Sequence, residues 1–229
     1  MSLFSMNSLK ATARRGFKPV LAVDIDETIA ATVDEWMKKL LEEFPIDGAP
    51  EAHALIKEYR YAQNVPQWKE NAVALARMQE FRECPVFHLE IPPIPDSATV
   101  LSEIARSLQL EYLTMRNPKV TEATRVWLEQ NGFPKGNIQV CPIDIPLSEK
   151  PNWKASILAG RQPQLVGIIE DHPQIIQSLP SDYKGTVFFF SHHTSPRSDI
   201  NVIPCPTWDH VARNVQRELP RLLAIDPQV

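Results

Sequence analysis

The sequence predicts an α/β protein, a doubly wound parallel sheet with a small helical insertion after its first strand. Short apolar runs recur at 20–26, 109–114, 138–141, 164–170 and 186–191, with the β-branched and aromatic content of buried parallel strands. Helical patterns separate the later runs, as βαβ connections require. Residues 33–92 interrupt this alternation with helical spacing and no convincing strand.

The chain of 229 residues is long enough for one α/β domain with a small insertion. Its first 18 residues lack any acidic residue and are rich in Ser, Lys and Arg. They faintly resemble an organelle transit peptide, but a disordered tail over 1–19 is the expectation. The core is expected over 20–32 and 93–229, and the insertion over 33–92. Within the insertion, Trp36, Leu40, Leu41 and Phe44 share helical spacing until Pro45 stops it. Ala52, Leu55, Ile56 and Tyr59 repeat the pattern, and a third helix fits 66–82. In the core, a helix over 118–131 is bounded by Asn117 as cap, Pro118 in the first position and Gly132 as stop. A last helix at 207–223 places Trp208, Val211, Ala212, Val215, Leu219 and Leu222 on one stripe.

Hydrophobic residues make up 43% and charged residues 23%, so the chain is ordinary for a globular protein. A net charge of −4 gives no electrostatic reason to expect nucleic acid or anionic lipid as a partner. No apolar run is long enough to span a membrane, and Phe188-Phe189-Phe190 reads as a buried strand. With 21 prolines and 7 glycines, many turns are proline-directed, as in Ile91-Pro92-Pro93-Ile94-Pro95. Cys84, Cys141 and Cys205 lack metal-ligand spacing and read as reduced, buried thiols of a cytoplasmic protein.

Chemistry is expected where strands end. In Asp24-Ile25-Asp26-Glu27-Thr28, carboxylates at i and i+2 of a strand point the same way. Two neighbouring carboxylates ionise together only beside a cation, and a hard oxygen-ligated ion such as magnesium suits them. The run 109–114 ends in Thr114, whose hydroxyl and neighbouring amides suit a phosphate oxygen, and Arg116 suits the same anion. Lys150 or Lys154 supplies a positive charge. Lys154 is favoured, because a position inside a helix aims it more firmly. The run 164–170 ends in Glu170-Asp171, which can complete a metal site with Asp24 and the Asp26 carbonyl.

In this order (acid pair, hydroxyl, lysine, acid pair) the sequence resembles the haloacid dehalogenase superfamily. The resemblance implies a Rossmann-like core, here with a helical cap inserted after the first motif. It implies that Asp24 is the nucleophile, Asp26 the acid and base, and Thr114 and Lys154 the groups that stabilise the phosphoryl charge. It implies Mg²⁺ held by Asp24, Asp26, Glu170 and Asp171, with Arg116, Lys150 and Thr28 near the substrate. An acid two residues after the nucleophile is absent from the dehalogenating branch, so a phosphatase acting on a small phosphomonoester is implied. Glu27 departs from a common glycine. Acidic variants of this motif resemble acid-phosphatase-like and protein-phosphatase-like branches. Thr114-Met115-Arg116, Thr124-Arg125-Val126-Trp127-Leu128 and Gly132-Phe133-Pro134 resemble nucleotidase and polynucleotide-phosphatase branches.

For substrate choice the insertion offers His53, Tyr59, Arg60, Tyr61, Gln63, Asn64 and Trp68. Tyr61 or Trp68 suits stacking on a base, and Arg60 suits a second anion. His192 and His193 have no third ligand at suitable spacing and read as a loop at the sheet edge, while His172 lies beside Asp171. The competing expectations are a phosphatase of polynucleotide ends and a non-catalytic phosphate-binding protein on the same fold. The net charge argues against the first. The presence of the nucleophile and every metal acid argues against the second.

Overall fold

The computed structural model describes residues 18–48 and 51–224. The tail expected over 1–19 falls outside them, except for Lys18 and Pro19. Six parallel strands form one sheet in the order β3-β2-β1-β4-β5-β6. They are β1 (Val20–Val23), β2 (Gln109–Thr114), β3 (Asn137–Val140), β4 (Leu165–Glu170), β5 (Thr186–Phe190) and β6 (Asn201–Cys205).

Both faces of the sheet are covered. Leu21 and Val23 join one apolar cluster while Ala22 between them joins the other, the two-residue alternation of a strand. The second cluster takes Leu158 from α8 (Lys150–Gly160) and Ile175 and Ile176 from α9 (Pro173–Ser178). The first takes Val211, Val215 and Leu222 from α10 (Trp208–Leu223). At the centre of the sheet Gly167 permits the close approach of β5. A Cβ there would meet the Thr186 carbonyl oxygen at 2.2 Å.

Between β1 and β2 lie α1 (Thr32–Glu43), α2 (Ala52–Tyr59), α3 (Pro66–Lys69), α4 (Ala72–Glu83), α5 (Pro85–Glu90) and α6 (Ser97–Ile104). Met37, Leu40, Leu55 and Trp68 pack in the same cluster as Leu21 and Val23, so these helices share the core of the sheet. The helix expected over 66–82 is two helices. Asn71 breaks it by accepting from the amides of Val73 and Ala74, at 3.0 and 3.2 Å, which starts a new helix. The helix expected at 118–131 opens with a 3₁₀ turn over Pro118–Val120 and continues as α7 (Thr121–Gln130). Asn117 caps the turn at Lys119, 3.0 Å away, and Gly132 ends the helix with φ +72°.

Strand β6 was not legible in the sequence. Pro204 interrupts its apolar run, which is tolerated because β6 is an edge strand and is only partly buried. Among the described residues no helix is long and apolar enough to cross a membrane.

Candidate active site

Three buried carboxylates converge where β1 and β4 end side by side. The Asp24 amide donates to the Ile169 carbonyl at 3.0 Å, which holds the first residue after β1 against the end of β4. Asp24, Glu170 and Asp171 each bring an oxygen within 4.8 Å of the others. Lys154 reaches them from α8, fully buried, and pairs with Asp24 and with Glu170, the latter at 2.6 Å. Helix α8 begins at Lys150, so Lys154 projects from its second turn. Lys150 instead donates to the Met115 carbonyl at 2.8 Å, and Lys154 is the lysine at the carboxylates.

The cluster carries more negative charge than Lys154 offsets. Burial and the charge of Glu170 push the Asp24 carboxyl up to about 7, despite Lys154. Burial, Glu170 and Asp24 raise Asp171 well above the usual carboxylate range. Burial disfavours the Lys154 ammonium, but Asp24 and Glu170 more than offset it and raise its pKa. The two oxygens of Glu170 are occupied, one by Lys154 and the other by the His172 amide at 2.9 Å. The Asp24 and Asp171 carboxylates of this buried, under-compensated cluster fit a hard divalent cation.

Asp26 does not share this cluster. The strand ends at Val23 and the chain turns at once, with Ile25 accepting from the amides of Ile29 and Ala30, both at 2.9 Å. Strand alternation therefore does not govern the Asp26 side chain. Its carboxylate meets Arg116 through Nε, at 3.0 and 3.1 Å, and Nη2 at 2.8 Å, and accepts from the Thr32 hydroxyl at 2.5 Å. Burial works against its charge, but the Arg116 guanidinium overrides this and holds the carboxyl at about 2.

Arg116 was expected at a phosphate. Its side chain is only 2% exposed and is spent on Asp26 and on the Thr124 hydroxyl at 3.1 Å. Thr28 was expected at the substrate, but it is fully buried and its hydroxyl faces Asp171 Oδ1 at 3.5 Å. Trp68 was a candidate for base stacking, but it is buried and donates to the Phe44 carbonyl at 3.0 Å. Thr114 ends β2 at the same sheet edge, and its hydroxyl oxygen accepts from the Arg116 amide at 3.1 Å.

Sequence reasoning missed Thr32 and Thr124, which hold Asp26 and Arg116. Both act across loops, where no spacing rule signals a partner. It also left His192 without a role. The His192 ring stacks on Phe189 at 3.7 Å, and its Nε2 lies 2.9 Å from the Asp171 carbonyl, bracing the loop that carries Asp171. Glu27, which stands where relatives by resemblance often have glycine, has φ +62°, a left-handed conformation that explains the glycine.

The six-stranded parallel sheet with helices on both faces is the fold of solved haloacid dehalogenase-like hydrolases. The chain is similar to a haloacid dehalogenase-like family hydrolase from Streptococcus pneumoniae, with TM-score 0.55 and 13% identity, over 87% of this chain and 99% of that one. It is similar to a HAD-hydrolase from Bacillus subtilis solved with magnesium bound, with TM-score 0.53 and 14% identity, over 87% and 99%. The L-2-haloacid dehalogenase of Xanthobacter autotrophicus, solved with chloropropionic acid covalently bound, gives 0.52 and 13%, over 87% and 99%. No protein-family model and no curated protein matches the sequence.

Proposed function

We propose that this chain is a magnesium-dependent phosphatase of small phosphomonoesters that works through an aspartyl-phosphate on Asp24. The observation that carries the reading is the cluster of three buried carboxylates around one buried lysine at the β1 and β4 ends. Phosphoryl transfer uses a cation held at such an excess of buried negative charge.

Asp24 attacks phosphorus, the bond from phosphorus to the ester oxygen breaks, and the leaving oxygen takes a proton. Water then attacks the phosphoryl group and Asp24 is released. Asp24, Asp171 and the Asp26 carbonyl would hold Mg²⁺, whose charge offsets that of the phosphoryl oxygens when bound. Lys154 favours the ionised form of Asp24 and orients it, and Glu170 keeps Lys154 in place. The Thr114 hydroxyl already accepts an amide, so its proton is available for a phosphoryl oxygen. Asp26 serves as acid and base after it turns away from Arg116, because a carboxyl held at about 2 donates no proton near neutrality.

Phosphate release from a phosphomonoester panel, with and without magnesium and with Asp24→Asn, tests this reading. The expected result is release that requires both magnesium and Asp24. Release from Asp24→Asn at the wild-type rate would refute it.

A further inference from the structure

A cleft of about 190 Å³ opens beside the carboxylates, lined by Glu27, Ile56, Arg60, Tyr61 and Asp171 among others. Arg60 stands at the end of α2 with φ +64°. Its Nη2 lies 3.5 Å from both the Asp171 carbonyl and Asp171 Oδ2, too far for a strong pair, and 46% of the side chain is exposed. Its Nε donates to the Tyr61 hydroxyl at 3.2 Å, which fixes the guanidinium plane. The Tyr61 ring in turn stacks on His172 at 6.1 Å, with 17° between the planes, to make a flat aromatic wall.

The acids of the cleft are engaged elsewhere. Glu27 Oε1 accepts from the Val33 amide at 2.7 Å, and Asp171 belongs to the carboxylate cluster. Arg60 is therefore a cation with unspent donors, held at a fixed place next to the reacting centre. The cleft is also smaller than the ~300 Å³ at which sites for drug-sized ligands begin, which favours a compact leaving group.

We propose that this cleft is the leaving-group subsite, and that the substrate is a small phosphomonoester bearing a second anionic group, which Arg60 binds, on a compact body that lies against Tyr61. The inference rests on the phosphatase reading for its reaction, but its binding test stands apart from turnover.

The test compares para-carboxyphenyl phosphate with its uncharged partner, para-carbamoylphenyl phosphate, in magnesium. Calorimetry with the matching benzylphosphonates, which cannot be hydrolysed, reads the subsite directly. A preference of about tenfold or more for the carboxylate is expected in both assays. In Arg60→Gln the ratio falls to near one, and in Arg60→Lys it recovers in part. Equal binding of the two phosphonates by the wild type overturns the subsite, as does an unchanged ratio in Arg60→Gln. Nucleoside monophosphates turned over faster than either ester overturn the compact substrate. Discrimination between the phosphonates without turnover of either ester supports the subsite and removes the phosphatase reading instead.

Discussion

Lys154 is fully buried between Asp24 and Glu170, so its removal strands carboxylates that water cannot reach. Lys154→Met is expected to lose about 3–5 kcal/mol of stability in chemical denaturation. Phosphate release from the same variant should fall by about 10²-fold or more. Arg116 holds Asp26 and also bonds the Thr124 hydroxyl. Arg116→Met should cost about 1–3 kcal/mol, less than a wholly buried pair, since the Asp26 side chain is 32% exposed. At this scale the sequence was informative wherever a residue sits directly at a strand end or on a helix. Asp24, Lys154, Glu170 and Asp171 were all legible and come together. The side-chain partners of Arg116 and Thr28, Asp26 and Asp171, were not legible, because they are fixed by loop paths that no periodicity encodes.

The turn that joins β1 to α1 depends on Glu27. Its backbone is left-handed, and its carboxylate satisfies the Val33 amide in the first turn of α1, where Ala31 offers no side-chain cap. Glu27→Ala keeps the left-handed backbone and loses the hydrogen bond, so it should be about 1 kcal/mol less stable than the wild type. Glu27→Gly loses the same bond but relieves the backbone, and should recover most of that difference. Thermal melts of the three proteins give the order directly. Elements with strong boundary residues were legible, as with α10, whose start is fixed by Thr207 and whose apolar stripe is uninterrupted. Those with mixed signals were not. The break at Asn71 was hidden inside an apolar pattern, and β6 was concealed by Pro204.

Over the whole molecule, charge and burial link stability to metal and to pH. Magnesium at about a hundred times its dissociation constant should add about 2.7 kcal/mol, and Asp171→Asn should abolish most of that gain in melts with and without chelator. His88 is 3% exposed and both of its ring nitrogens lack a partner. Burial, with Arg116 nearby, pushes its pKa down from 6.5 to about 4. Between those values the unfolded chain binds the proton and the folded chain does not, so this histidine weakens the fold as pH falls from 6.5 towards 4. His88→Leu should therefore gain on the wild type by up to about 1.4 kcal/mol per pH unit in that window, with no further change above it. The doubly wound sheet was legible because β1, β4 and β5 are apolar along nearly their whole length, which burial on both faces explains. The central claim is that Asp24 carries the phosphoryl group. A rapid acid quench during turnover of an active phosphomonoester, followed by mass spectrometry of the peptides, tests it most directly. The account predicts one phosphoryl group on the peptide containing Asp24, removed by hydroxylamine and absent from Asp24→Asn. Turnover with no phosphoryl group on that peptide, or with one attached to a different residue, would contradict it.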